Sequence, residues 1–109
     1  MTDTVKVLGQ SNPATTTLTT LYTVPAAKAT TVSSLVVCNQ AAVPATFRVS
    51  IRVAGLADTA KQYIYYGLAV PANESFVATL GLTLSATDVV SVYASSATLS
   101  FNLFGVEIQ

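Results

Sequence analysis

The feature that most constrains the fold is a strict alternation of apolar and polar side chains over residues 46–53. The apolar members of this segment are Phe47, Val49, Ile51 and Val53, and Thr, Arg and Ser side chains separate them. Successive side chains of a β-strand point to opposite faces, so this period predicts a strand with one buried and one solvated face. No amphipathic stretch is long enough for a crossover helix, which argues against an α/β fold.

Seven further runs are rich in β-branched and aromatic residues, and turn-forming residues separate them about every dozen positions. The runs are residues 5–10, 16–24, 29–39, 62–68, 75–81, 89–94 and 99–109. Val, Ile and Thr make up 34 of the 109 residues, and these side chains suit a pleated sheet better than a helix. The sequence therefore predicts an all-β fold, a single antiparallel β-sandwich or jelly roll of about eight short strands.

The same alternation predicts which side chains face the core. Outside residues 46–53, the inward candidates are Val32, Leu35, Val37, Ile64, Tyr66, Leu68, Phe76, Ala78, Leu80, Val90, Val92, Leu99, Phe101 and Leu103. In the last run the apolar phase changes near Gly105. A glycine there predicts a bulge that turns Val106 and Ile108 towards a different neighbour, unless both faces of the strand are covered.

The length of 109 residues is sufficient for one domain with one core. We expect residues 14–109 to form the sandwich. Residues 1–13 are expected to be either an arm that reaches onto a neighbouring molecule or an edge strand of the same sandwich. The absence of a signal-like amino terminus and of an 18-residue apolar segment predicts synthesis in the cytoplasm and no membrane partner.

Charge is scarce in this chain. Five Lys and Arg residues balance five Asp and Glu residues, so charged side chains form 9% of the sequence, against about 25% in an average soluble domain. A neutral chain has no electrostatic field with which to attract nucleic acid. With no His and one Cys, it can form neither an internal disulfide nor a soft-ligand zinc cluster. We expect no nucleic-acid partner, no metal and no cofactor.

No group of residues points to catalysis. The titratable side chains are scattered, no His can activate a serine, and the five glycines lie too far apart to form a phosphate-binding loop. Asp88 is predicted to hydrogen-bond to the backbone of its own turn. Cys38, at the end of an apolar strand, is predicted to be a small buried hydrophobe. We therefore expect that the protein is not an enzyme.

Six residues are candidates for contact with a partner. Arg48 and Arg52 lie four apart on one strand, so they share a face about 13 Å apart; they either pair with carboxylates of another subunit or solubilise that face. Tyr63 and Tyr65 are predicted on an outer face, as part of an interface or, less favoured, a sugar-binding platform. Lys6 and Val7 represent the amino-terminal segment.

Five segments of the chain carry a resemblance to a known group of proteins: LYTVP at 21–25, TVSSLVVCN at 31–39, FRVSI at 47–51, GLTLSATDVVSVYA at 81–94 and the final run 99–108. In these segments, which cover most of the chain, the protein resembles small virion structural proteins of tailed bacteriophages. In the usual turn of this group a glycine precedes the aspartate, whereas here Thr87 precedes Asp88. This departure leaves the type of that turn open.

The resemblance implies a β-sandwich of the virion with no catalytic residues. We expect a capsid decoration or cement protein, a homotrimer that bridges neighbouring subunits of the major capsid protein. Alternatives are a tail, collar or fibre-attachment subunit and, less favoured, a glycan-binding module for host attachment. Each of these roles predicts localisation in the virion.

Overall fold

A computed structural model of the protein describes residues 3–109, and these residues form eight strands and no α-helix. The strands are β1 (Thr4–Ser11), β2 (Thr19–Thr23), β3 (Ala29–Asn39), β4 (Ala45–Arg52), β5 (Tyr63–Val70), β6 (Ser75–Leu84), β7 (Val89–Ala94) and β8 (Leu99–Ile108). Two short 3-10 turns, Val53–Gly55 and Ala60–Gln62, lie between β4 and β5. No helix in the described part of the chain is long and apolar enough to cross a membrane.

The strands form two four-stranded antiparallel sheets, in the orders β1-β8-β3-β6 and β2-β7-β4-β5. The inner faces of the two sheets pack against each other, so the predicted antiparallel β-sandwich is confirmed. β1 is hydrogen-bonded to β8 and is an edge strand of this chain's own sandwich.

The core lies between the sheets and centres on Phe47 of β4. The ring centroid of Phe47 is 5.6 Å from that of Phe76 and 5.8 Å from those of Phe101 and Tyr65. Phe76 and Phe101 belong to the opposite sheet, so these aromatic contacts join the two layers. The other largest fully buried side chains are Leu35, Leu99, Leu103, Val24, Val32, Val37, Val49, Val70, Val90 and Val92.

The predicted phase of β5 is wrong. Ile64, Tyr66 and Leu68 are exposed, whereas the ring of Tyr65 packs against the core. The run from Tyr63 to Tyr66 is apolar in both phases, so alternation alone did not decide which face is buried. The contact of Tyr65 with the core aromatic rings decides it, because burying a large ring at the end of the core contributes more than burying Ile64.

Two positions in and after β4 also differ from the prediction. Val53 was predicted to face inward, but it is exposed because the strand ends at Arg52 and the chain enters a 3-10 turn. Ser50 was predicted on the solvated face, but it is fully buried. Its cross-strand neighbours are Ser91 on β7 and Tyr63 on β5, so it lies inside the sheet and not at its margin.

β8 does not change phase. Leu99, Phe101, Leu103, Gly105 and Glu107 all face the interior, so the expected turn of Val106 and Ile108 towards another neighbour is wrong. The irregularities lie instead in the two strands that flank β8, between positions 7 and 9 of β1 and between positions 32 and 34 of β3.

Gly105 is required for the close approach of β3 to β8. A Cβ atom at this position would overlap the carbonyl oxygen of Thr31 and touch the Cα atom of Val32. The apolar sequence around this glycine suggested a change of phase, whereas its structural role is to let two backbones come together.

We expect Gly105→Ala to destabilise the fold by about 2–3 kcal/mol, because the methyl group meets backbone that cannot move aside cheaply. Gly81→Ala is the matched control: a Cβ there has open space and the backbone φ is not positive. Urea unfolding of both variants measures the difference. Equal midpoints for the two variants would contradict this role of Gly105.

The turn before β7 is tied to its surroundings by Asp88. Its carboxylate accepts hydrogen bonds from the backbone N–H of Ser85, at 2.9 Å, and from that of Ala54, at 2.8 Å. The expected bond to its own turn is therefore present, and a second bond fixes the 3-10 turn after β4. Thr87 in this turn has φ of 69°, in the left-handed region, which is unfavourable for a β-branched residue.

We expect Thr87→Gly to stabilise the protein by up to about 1 kcal/mol. Relief of the left-handed conformation is worth roughly 1–2 kcal/mol, and the extra chain entropy of glycine offsets part of it. Thr83→Gly, in an exposed and regular position of β6, is the control and should destabilise. A lower melting temperature for Thr87→Gly than for the native chain would refute the strain argument.

Cys38 is half-buried, not fully buried as predicted. It lies opposite Ser75 of β6 and Ser100 of β8 in the sheet register. The buried positions of β3 alternate as Leu35, Val37 and Asn39, so the thiol belongs to the outer face.

Candidate functional site

Arg48 lies between two tyrosine rings on the outer face of the second sheet. Its cross-strand partners in the register are Tyr66 on β5 and Tyr93 on β7. The guanidinium carbon is 4.2 Å from the centroid of the Tyr66 ring and 4.3 Å from that of the Tyr93 ring. These two cation–π contacts hold the guanidinium group in place and leave its N–H groups as donors.

The connection between β4 and β5 brings an acidic side chain close to this row. The hydroxyl of Tyr63 donates a hydrogen bond of 2.6 Å to Oδ2 of Asp58, and the Tyr63 ring packs edge-on against Tyr66. Burial and the bond to this carboxylate together raise the pKa of Tyr63. The loop is fixed by buried Gln62, whose side chain accepts from the N–H of Thr59 and donates to the carbonyl of Ala57.

These groups enclose a surface depression of about 580 Å³. Its lining residues are Arg48, Asp58, Thr59, Ala60, Tyr63 and Tyr66. Two of the six candidate contact residues, Arg48 and Tyr63, therefore come together here. The outer face predicted for Tyr65 is wrong, because its half-buried ring packs against the core.

Arg52 does not join this group, although it shares the strand with Arg48. Its Nε donates to the carbonyl of Leu56 at 2.7 Å, and one of its terminal amino groups donates to the carbonyl of Gly55 at 3.1 Å. The structure thus uses this side chain to hold the chain after β4, which leaves fewer donors for a partner.

Lys6 and Val7 lie far from the depression, on edge strand β1 of the other sheet. The amino group of Lys6 is 3.5 Å from Oε1 of Glu107, and that of Lys28 is 3.7 Å from the same atom. Val7 and its neighbour Val5 are exposed, Val5 to 82%. The amino-terminal candidates therefore combine one ion pair with exposed apolar side chains.

Glu107 is a buried carboxylate that connects the two sheets. Its Oε2 accepts a 2.7 Å hydrogen bond from the hydroxyl of Tyr22, which also contacts the hydroxyl of Thr30 at 2.8 Å. The bond from Tyr22 and the nearby lysines hold the pKa of Glu107 below its ordinary value, against the effect of burial. Burial and the carboxylate raise the pKa of Tyr22 to about 12.

The pH dependence of Glu107 follows from the direction of this shift. A carboxylate with a lowered pKa in the folded state stabilises the fold at pH above the ordinary value of 4.5, and this contribution is lost as pH falls through the lowered value. We expect Glu107→Gln to cost about 1–3 kcal/mol at pH 7 and much less at pH 3. Exposed Glu74→Gln is the control. A cost of Glu107→Gln that stays the same at both pH values in urea unfolding would show that the carboxylate charge is not involved.

Among the charged and aromatic side chains of the depression and its rim, three were not among the candidates: Asp58, Tyr66 and Tyr93. Tyr93 could have been found, because buried Val90 and Val92 place it on the outer face of β7. Tyr66 was assigned to the wrong face, and Asp58 lies in a loop whose path alternation does not predict. No family model matches this chain, and no match is found among curated proteins.

Proposed function

We propose that this protein is a structural subunit of a bacteriophage virion, most specifically a capsid decoration or cement protein. The observation that carries the proposal is a surface with many exposed apolar side chains and few charges. The exposed large hydrophobic residues of the described chain are Val5, Val7, Leu18, Val43, Val53, Leu56, Ile64, Tyr66, Leu68, Val77 and Ile108. Several of them share a strand, Val5 and Val7 on β1 and Ile64, Tyr66 and Leu68 on β5, and exposed apolar side chains that cluster are typical of surfaces covered by partners. The resemblance to phage virion proteins supports the same role.

The mechanism of such a protein is mechanical. Its described surface of 5486 Å² offers apolar contacts on both sheets, and each contact with a neighbouring subunit contributes modestly. Simultaneous contacts with several neighbours add up through multivalency. A homotrimer at a junction of major-capsid subunits would place three copies of the same contact surface around one axis.

The structure suggests how edge-to-edge aggregation is limited in a protein with so little charge. Each of the four edge strands β1, β2, β5 and β6 takes part in a pairing whose register is interrupted. Irregular edges are poor templates for adding another strand. Association through exposed side chains is therefore favoured over continuation of a sheet.

The first test is the copy number of this protein in purified particles, measured by quantitative mass spectrometry on separated heads and tails. A cement protein is expected in hundreds of copies with the heads. A few to some tens of copies with the tails would support a collar or fibre-attachment subunit instead. Absence from both fractions would refute the proposal.

The contact surface is tested by the double variant Val5→Ser and Val7→Ser. We expect this change to lower trimer formation or head occupancy at least tenfold, because both side chains are exposed on edge strand β1. The control is Val77→Ser, the same kind of substitution at a side chain that is 62% exposed. It lies on β6, the opposite edge strand of the same sheet. For both variants, native mass spectrometry measures trimer formation and binding to particles measures head occupancy. Loss of trimer formation or head occupancy in the control alone would show that the contact lies on β6 and not on β1.

A further inference from the structure

The depression beside Arg48 has the size and the preformed walls of a small-molecule site. Its volume of about 580 Å³ falls within the usual range of roughly 300–1,000 Å³. One wall is the sheet, with Arg48 and Tyr66, and the other is the loop that Gln62 anchors at Thr59 and Ala57. A ligand would therefore meet groups that are already in position, which lowers the entropy cost of binding.

The cationic side of the depression has unused donors. Among residues 3–109, no acidic side chain lies within salt-bridge distance of Arg48 and no hydrogen bond satisfies its guanidinium group. Its guanidinium carbon lies over the rings of both Tyr66 and Tyr93, and aromatic rings at this distance fix a guanidinium group without using its N–H donors. A guanidinium group held in this way offers directed donors to a ligand oxygen.

The opposite side of the depression offers acceptors. Tyr63 binds Oδ2 of Asp58, and within the described chain Oδ1 has no donor. Asp58 is exposed, so this oxygen remains free to accept a hydrogen bond. The ring of Tyr66 also lines the depression; the guanidinium group of Arg48 lies over this ring, and because the residue is 66% exposed the rest of the ring provides an apolar surface.

This combination selects among ligand classes. The depression holds one positive and one negative group. An anion attracted by Arg48 is therefore repelled by Asp58, and a cation attracted by Asp58 is repelled by Arg48. A wholly apolar ligand would cover both charged groups without pairing them. An uncharged ligand with hydroxyl groups, which both donate and accept, and with an apolar C–H face satisfies all three parts of the wall.

We propose that this depression binds a neutral saccharide, with the C–H face of a sugar ring against Tyr66, hydroxyl oxygens accepting from Arg48 and a hydroxyl group donating to Asp58. The depression is open to solvent, so it can take a terminal unit or a unit within a longer chain. This binding does not depend on the role as a virion subunit, whose tested contact residues, Val5 and Val7, lie on β1 of the other sheet.

The test is titration of the isotope-labelled whole chain, followed by NMR, with a panel of neutral and acidic oligosaccharides. The neutral probes are oligomers of glucose, galactose, mannose and N-acetylglucosamine, and the acidic probe is a galacturonate oligomer. We expect at least one neutral probe to shift the amide signals of residues 48, 58–60, 63 and 66, with saturation in the millimolar range or below. Failure of every neutral probe to shift these signals overturns the proposal.

Variants separate saccharide binding from capture of an acidic ligand. Tyr66→Ala should weaken binding of the neutral probe at least tenfold, whereas Tyr66→Phe, which keeps the ring, should stay within about twofold. Asp58→Asn should weaken binding of the neutral saccharide, since the negative charge that strengthens the hydrogen bond is lost and one of the two acceptor oxygens is replaced by an amino group. Tighter binding of galacturonate or of a glutamate-rich peptide to the native chain than of any neutral probe, increased further by Asp58→Asn, would identify an anion site and overturn the proposal. Val77→Ala, on the other sheet, is the control and should bind as the native chain does.

Discussion

The packing of Phe47 between the two sheets is the interaction on which the rest of the structure depends. Its ring contacts two aromatic residues of the opposite sheet, Phe76 and Phe101, and one of its own sheet, Tyr65. Because Tyr65 turns inward to join this cluster, Tyr66 must turn outward, and it meets Arg48 there. The packing of Tyr65 against the core thus determines which side chain of β5 lines the depression on the outer surface.

Several of the few charges in this chain serve the fold. Glu107 joins both sheets through Tyr22 and pairs with Lys6 and Lys28, and Asp88 ties two turns together. Arg52 holds the chain after β4. Within the described residues, Arg48 by contrast makes no ion pair or hydrogen bond, and Asp58 uses only one of its two oxygens.

The exposed apolar side chains and the irregular edge strands are related through the low charge of the chain. A low-charge sandwich with regular edges would be prone to strand addition by its own copies, since charge is a common protection against it. Register interruptions next to β1, β2, β5 and β6 provide a different protection. Exposed side chains such as Val5 and Val7 on β1 then remain available for specific contacts, as the proposed role in the virion requires.

Alternation along the chain was sufficient to predict the class of fold, the eight strands and most of the core, because a two-residue period translates directly into buried and solvated faces, as in Phe47, Val49 and Leu103. It also indicated the turn of Asp88. The phase of β5, the uninterrupted alternation of β8 through Gly105 and the meeting of Arg48, Asp58 and Tyr66 could be seen only in the folded chain. These features depend on contacts between strands distant in the chain and on the path of a loop, and local alternation carries no information about either.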